Sequence, residues 1–154
     1  MGRYEDIISK YSRLTITETD MLPSFQSGIC FNNQIYINSD RSDAVKLEIL
    51  AEEIAHHKLT YGNITDQSKF NNRKFEVYAR RYAMEQLIPL KGIIDSFKHG
   101  CHNLYEMASF FEVSEGFVQD CLAHYKRKYG LSTLCGDYLI QFEPLRVFEY
   151  KNIE

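Results

Sequence analysis

The 154-residue chain has no tryptophan, only three prolines, no Cys-x-x-Cys pair and no long apolar run. Each gap excludes something. A membrane-spanning helix needs about 20 consecutive apolar residues, so no membrane span is expected. The four cysteines (Cys30, Cys101, Cys121, Cys135) show no complete four-ligand metal set, even where His102 and His124 lie near a thiol. They read as free thiols of a reducing compartment. The opening Met1-Gly2-Arg3-Tyr4-Glu5-Asp6 leads into an amphipathic segment rather than the apolar core of a signal peptide. These features predict a cytoplasmic protein. Basic excess is lacking too, with a net charge of -3. Proteins that hold phosphate backbones are usually basic, so direct nucleic-acid binding is disfavoured. Repeats and low-complexity segments are missing as well.

What is present is ordinary globular composition, 44% hydrophobic and 25% charged, with 11 tyrosines and 10 phenylalanines that argue against long disorder. Ile7, Ile8, Tyr11 and Leu14 sit at helical spacing and predict a first helix over 4–14. A polar stretch from Thr15 to Ser27 reads as irregular. Ile29-Cys30-Phe31 and Gln34-Ile35-Tyr36-Ile37-Asn38 flank an Asn32-Asn33 pair that tolerates positive φ, which predicts a β-hairpin. Helices are expected over 43–59 and 72–87, separated by a polar loop to about Asn72. Further helices are expected over 93–97, 104–111 and 115–129, the last two in a helix-turn-helix-like pattern. Two strands, 138–142 and 146–150, should close the chain.

The helix over 43–59 carries two apolar faces. Leu47, Leu50, Ala51 and Ile54 form one; Val45 and Ile49 form the other, and Glu52 and His56 share that second side. Such a helix is sandwiched between other elements, and polar side chains on its second face need partners there. On the helix over 72–87, Glu76 shares a stripe with Ala79, Ala83 and Leu87 and is expected to point inward. A bland alternative pairs Glu76 with Arg80 or Arg81.

Glu52-Glu53-Ile54-Ala55-His56 has the spacing of a gluzincin metal site. Ligands at i and i+4 reach one ion from one side of a helix. A carboxylate at i+1 lies near enough to accept a proton from water, and a third ligand comes from a second helix. This assigns Glu52, His56 and Glu76 as metal ligands and Glu53 as the catalytic base. A glutamate stands where a zincin has histidine, so the ligand set is harder and more anionic than usual. Glu53 and His57 form a second i,i+4 pair, which helical angles place nearer the first apolar stripe. Tyr61, Tyr78 and Tyr82 are candidate oxyanion donors.

Leu50-Ala51-Glu52-Glu53-Ile54-Ala55-His56-His57 resembles the active-site helix of the ImmA/IrrE metallopeptidases, in a subgroup from phages and mobile elements where Glu-Glu often precedes His-His. Phe75 to Pro89 resembles the second-helix signature, which ends in Leu-Ile-Pro, although many members carry the third ligand where this chain has Tyr78. Val113-Ser114-Glu115 and Gly136 to Leu145 resemble the downstream helical and closing β segments. The resemblance implies an α+β fold with a minimal thermolysin-like (gluzincin) core over 1–90. Helix-turn-helix-like helices and a closing β segment over 91–154 would pack with it as one unit. It also implies one zinc per chain, with manganese as an alternative ion, and cleavage of a helix-turn-helix transcriptional repressor that frees a phage or mobile element. Two rivals stand beside it. One is a catalytically silent protein that grips the repressor, suggested by Glu52. The other is a DNA-binding regulator using residues 104–129, against which Glu115 and Asp120 weigh.

Overall fold

The computed structural model describes residues 2–62 and 72–150. Its elements run α1 (Arg3–Lys10), β1 (Thr15–Thr19), β2 (Gly28–Phe31), β3 (Gln34–Asn38), α2 (Asp43–Gly62), α3 (Asn72–Leu87), α4 (Leu90–His99), α5 (Leu104–Phe111), α6 (Glu115–Tyr129), β4 (Ser132–Cys135), β5 (Tyr138–Phe142) and β6 (Leu145–Glu149). This is the α+β fold that the sequence predicts. The chain divides between Leu87 and Ile88 into two compact units. Residues 63–71, expected as a polar loop, lie outside the described residues.

The first unit is built on a mixed three-stranded sheet in the order β1-β3-β2. The β2–β3 hairpin forms as expected: Asn32 and Asn33 both take positive φ (48° and 63°) between the paired Phe31 and Gln34. A two-residue turn of this kind matches the twist of the strands on either side. Central β3 buries Ile35 and Ile37 completely. β1 corrects the expectation of an irregular stretch from Thr15 to Ser27. Its Thr-Ile-Thr-Glu-Thr pairs in parallel with β3, from Thr15↔Gln34 to Thr19↔Asn38, so the strand owes its existence to a partner distant in sequence. The loop between β1 and β2 is fastened by buried Asn38, whose Nδ2 donates to the carbonyls of Gln26 at 3.1 Å and Pro23 at 3.4 Å. Arg41 adds a bond to the Ser24 carbonyl at 2.6 Å.

α2 is the sandwiched helix. Leu47, Ile49, Leu50, Ala51, Ile54 and Ala55 are all buried, and Ile49, Leu50 and Ile54 join Ile35 and Ile37 in one core cluster. Burying each such side chain contributes roughly 1.5–3 kcal/mol. β2 approaches α2 very closely at Gly28, where a Cβ would stand 2.6 Å from Ile49 Cγ2 and 3.4 Å from Glu53 Cγ. Only glycine fits that contact without moving the helix or the strand. On another side, α3 presents Ala79 and Ala83, both fully buried, and their small side chains let the two helices pack closely.

In the second unit, α5 and α6 follow their capping signals. Asn103 Oδ1 accepts from the Glu106 N–H at 2.8 Å, and Ser114 Oγ accepts from the Phe117 N–H at 3.2 Å. Glu112 closes α5 in the left-handed region, at φ 61°. α4 begins directly after Pro89 and is longer than expected, because Gly100 with φ 100° sets its end. The closing strands form an antiparallel meander, β4-β5-β6. β4 was not expected, since Ser132 to Cys135 gains its strand character from pairing with β5. Buried Tyr125 anchors this unit by donating to the Ile88 carbonyl at 2.7 Å and stacking on Phe142.

Candidate active site

A cleft of about 800 Å³ opens along β2 in the first unit. One wall is β2 itself, from Gln26 and Gly28 to Asn33; the other carries Glu53, His56 and His57 of α2 and Phe75 and Glu76 of α3. β2 is the edge of its sheet and, among the described residues, pairs only with β3. Asn38 N–H donates to the Ser27 carbonyl, so strand alternation turns the backbone groups of Gly28 and Cys30 toward the open edge. The Gly28 carbonyl there accepts from Gln26 Nε2 at 3.5 Å.

Two of the expected ligands come together. His56 Nε2 lies 3.2 Å from Glu76 Oε2, and the Glu76 side chain is 68% exposed. Glu76 therefore reaches across the mouth of the cleft; it does not point into the core as its stripe suggested. The His56 ring also packs on Phe75 at 5.0 Å. Arg80, the alternative partner for Glu76, places its NH1 2.9 Å from Glu52 Oε1. Glu52 faces α3 and does not line the cleft. The structure thus joins His56 to Glu76 and leaves Glu52 with Arg80. Among the described residues, no three His, Cys, Asp or Glu side chains form a ready metal-holding group.

Glu53 turns the other way, toward β2. Burial, and then the negative charges of Glu52 and Glu76, push its carboxyl up to about 7. A carboxyl poised there can both accept and return a proton near neutral pH. Burial and the neighbouring Glu53 also push the Cys30 thiol up to about 11, which keeps it protonated and poorly nucleophilic.

His57 was expected nearer the first apolar stripe, away from the cleft. It instead lines the cleft with Glu53, and its Nε2 is 2.8 Å from Asn33 Oδ1. The cleft opens toward the β2–β3 turn, a direction that helical angles alone do not supply. Nothing in the sequence signals the bond to Asn33, and the role of β2 as a wall was missed for the same reason. Among the candidate oxyanion donors, Tyr78 is exposed and does not line the cleft. Tyr82 lines a separate hollow beside Tyr11, under Lys58. The Tyr61 side chain lies outside the described residues.

The donor set suits a divalent ion in part. One imidazole and carboxylates from two helices are appropriate to zinc, and the placement separates ligand-type groups on the α3 side from a proton-transfer group on the β2 side. No helix among the described residues is long and apolar enough to cross a membrane. No curated protein matches the chain. The Peptidase_M78 family model, described as the IrrE N-terminal-like domain, matches residues 10–122. That span covers α2, α3 and the cleft, and the chain belongs to this metallopeptidase family.

Proposed function

We propose that this protein is a zinc-dependent endopeptidase that cleaves a helix-turn-helix transcriptional repressor and so relieves repression of a phage or mobile element. The observation that carries the reading is the cleft. It sets a half-buried, weakly acidic Glu53 beside the His56–Glu76 pair and opposite an edge strand. In this reading His56 and Glu76 would hold the metal, and Glu52, which is bonded to Arg80 and does not line the cleft, would have to turn toward them to complete the set. Arg80 would then orient that carboxylate, as outer partners of metal ligands commonly do. Manganese is the alternative ion, because two carboxylates make the set hard.

The ion, when bound, polarises the scissile carbonyl and acidifies the attacking water. The chain's own residues do the rest. Cys30 offers its backbone groups to an extended segment laid along the edge of β2. Glu53 accepts a proton from the water as its oxygen bonds to the carbonyl carbon. It then returns that proton to the amide nitrogen as the carbon–nitrogen bond breaks.

The test compares wild type with Glu53→Gln, which keeps shape and volume. The variant should bind the repressor and leave it intact, while the zinc-loaded wild type cuts it. Equal relief of repression by both proteins would support the second reading, a non-cutting binder of the repressor. That reading draws on Glu52, which stands where a zincin has histidine and is bonded to Arg80. Direct DNA recognition by α5 and α6 is a weaker third reading, since Glu115 opens α6 and Lys126 is paired with Glu143.

A further inference from the structure

His57 follows His56 on α2 and shares the cleft with it, so its imidazole looks like a spare metal ligand. Its geometry gives it a structural task instead. The Nε2 atom is aimed at Asn33 Oδ1, 2.8 Å away. A carbonyl oxygen only accepts, so this nitrogen carries the hydrogen and donates it. Nε2 is therefore committed to the hairpin, and Nδ1 is the one ring nitrogen that keeps a lone pair.

Asn33 is an unusual partner. It is the second residue of the β2–β3 turn and sits at φ 63°. Its backbone carbonyl accepts from Thr15 N–H at 3.0 Å, which ties the turn to the start of β1. Its side chain ties the same turn to α2. One residue therefore fastens the tip of the hairpin to both of its neighbours. At the other end of β2, Gly28 lets the strand touch Ile49. The edge strand is held against α2 at both ends, and Cys30 lies between the two fixings.

We infer that His57 is a positioning residue: with Asn33 it locks the tip of the β2–β3 hairpin to α2 and holds β2 as a fixed wall opposite Glu53. The functional consequence rests on the peptidase reading above, in which that wall aligns the scissile segment. The lock itself does not depend on that reading.

The experiment uses the full chain with four variants: His57→Ala, His57→Gln, Asn33→Gly and the His57→Ala/Asn33→Gly double. Glycine suits positive φ, so Asn33→Gly removes the acceptor and keeps the turn. Two quantities are read: amide hydrogen exchange across residues 28–37, and cobalt(II) binding by visible absorption with zinc competition. Both single variants should speed exchange in β2 by a similar factor, roughly tenfold. The double variant should be no faster than either single, and His57→Gln, which restores a donor, should return to near wild type. Cobalt affinity and spectrum should match wild type in all four. Loss of cobalt binding in His57→Ala but not in Asn33→Gly would make His57 a ligand and overturn the inference. Unchanged exchange, or additive effects in the double variant, would overturn it equally. If wild type binds neither ion, the zinc reading fails while the exchange data still decide the lock.

Discussion

Two hollows flank α2, and they differ in how their charges are settled. The hollow of about 250 Å³ beside α1 and α3 is lined by Tyr11, Ala51, Ile54, Tyr82 and Leu87. Its cations have partners: Arg3 donates to the Leu87 carbonyl at 2.9 Å and Lys10 lies over the Tyr11 ring at 5.8 Å, while nearby Lys58 lies over the rings of Tyr11 and Tyr82 at 5.1 and 5.8 Å. The cleft along β2 is the reverse. Glu53 is half-buried there within the fields of two other carboxylates, and its acidity is weakened as a result. Burying a carboxylate among like charges costs stability, and proteins accept that cost mainly where chemistry needs it. The contrast teaches that one helix can keep a stabilising side and a strained side only a half-turn apart.

The sharpest way to break this contrast is Glu53→Gln. Cleavage should fall by roughly 10²–10⁴-fold, the usual contribution of a general base, measured on the repressor with saturating zinc. The same substitution should stabilise the chelator-treated protein at pH 8 by roughly 1–3 kcal/mol, because it removes a half-buried charge that lies among other carboxylates. The sign follows from a folded acidity of about 7 against an ordinary 4.5. The folded state holds the proton more tightly, so Glu53 favours folding when protonated. That contribution is fully present below 4.5 and is lost as pH rises toward 7. Urea melts of wild type and variant should therefore diverge between pH 4.5 and pH 7 and run parallel above it.

Next in size is Gly28→Ala, which drives a methyl into Ile49 and the Tyr36 carbonyl. Overpacking of this kind costs about 1–3 kcal/mol, and Ile49→Ala in the same chain should recover part of it. Denaturant midpoints of the single and double variants measure both effects.

Glu52 separates the two functional readings. If it completes the ligand set, Glu52→Ala should weaken zinc binding by more than tenfold and Arg80→Ala by a smaller factor, read by competition with a zinc dye. Unchanged affinity in both would confine the ion to His56, Glu76 and Glu53, and proton transfer would then need a different group.

The smallest effect belongs to the quiet hollow. Lys58→Met should cost roughly 0.5–1 kcal/mol from the lost ring contacts and leave cleavage and zinc affinity alone. A large loss of cleavage would show that the two sides of α2 are not separate.

What the sequence made legible was whatever depends on neighbours in the chain. Asn32-Asn33 between two β-rich runs announced the hairpin, and the helix-turn-helix-like pattern over 104–129 announced α5 and α6. The two-faced pattern of α2 announced a sandwiched helix, and the Glu-Glu-x-x-His spacing pointed to the part of α2 whose Glu53 and His56 line the cleft. β1 and β4 were hidden, since Thr-Ile-Thr-Glu-Thr and Ser-Thr-Leu-Cys are strands only because β3 and β5 lie beside them. The division of labour between Glu52 and Glu53 was hidden for a related reason. Neighbours on a helix point about 100° apart, and only the placement of β2 and α3 decides which one meets the cleft and which meets Arg80.

The mixed sheet has a consequence for the order in which the molecule assembles. The β2–β3 pair closes through a two-residue turn, whereas β1 must find β3 across the whole hairpin that separates them. Short loops close quickly, and long-range parallel pairing is slow. The hairpin that walls the cleft is thus the portion of the sheet able to form first, and β1 docks onto it afterwards. In a folding chain the edge strand of the cleft is therefore expected to be paired before β1 joins the far side of β3.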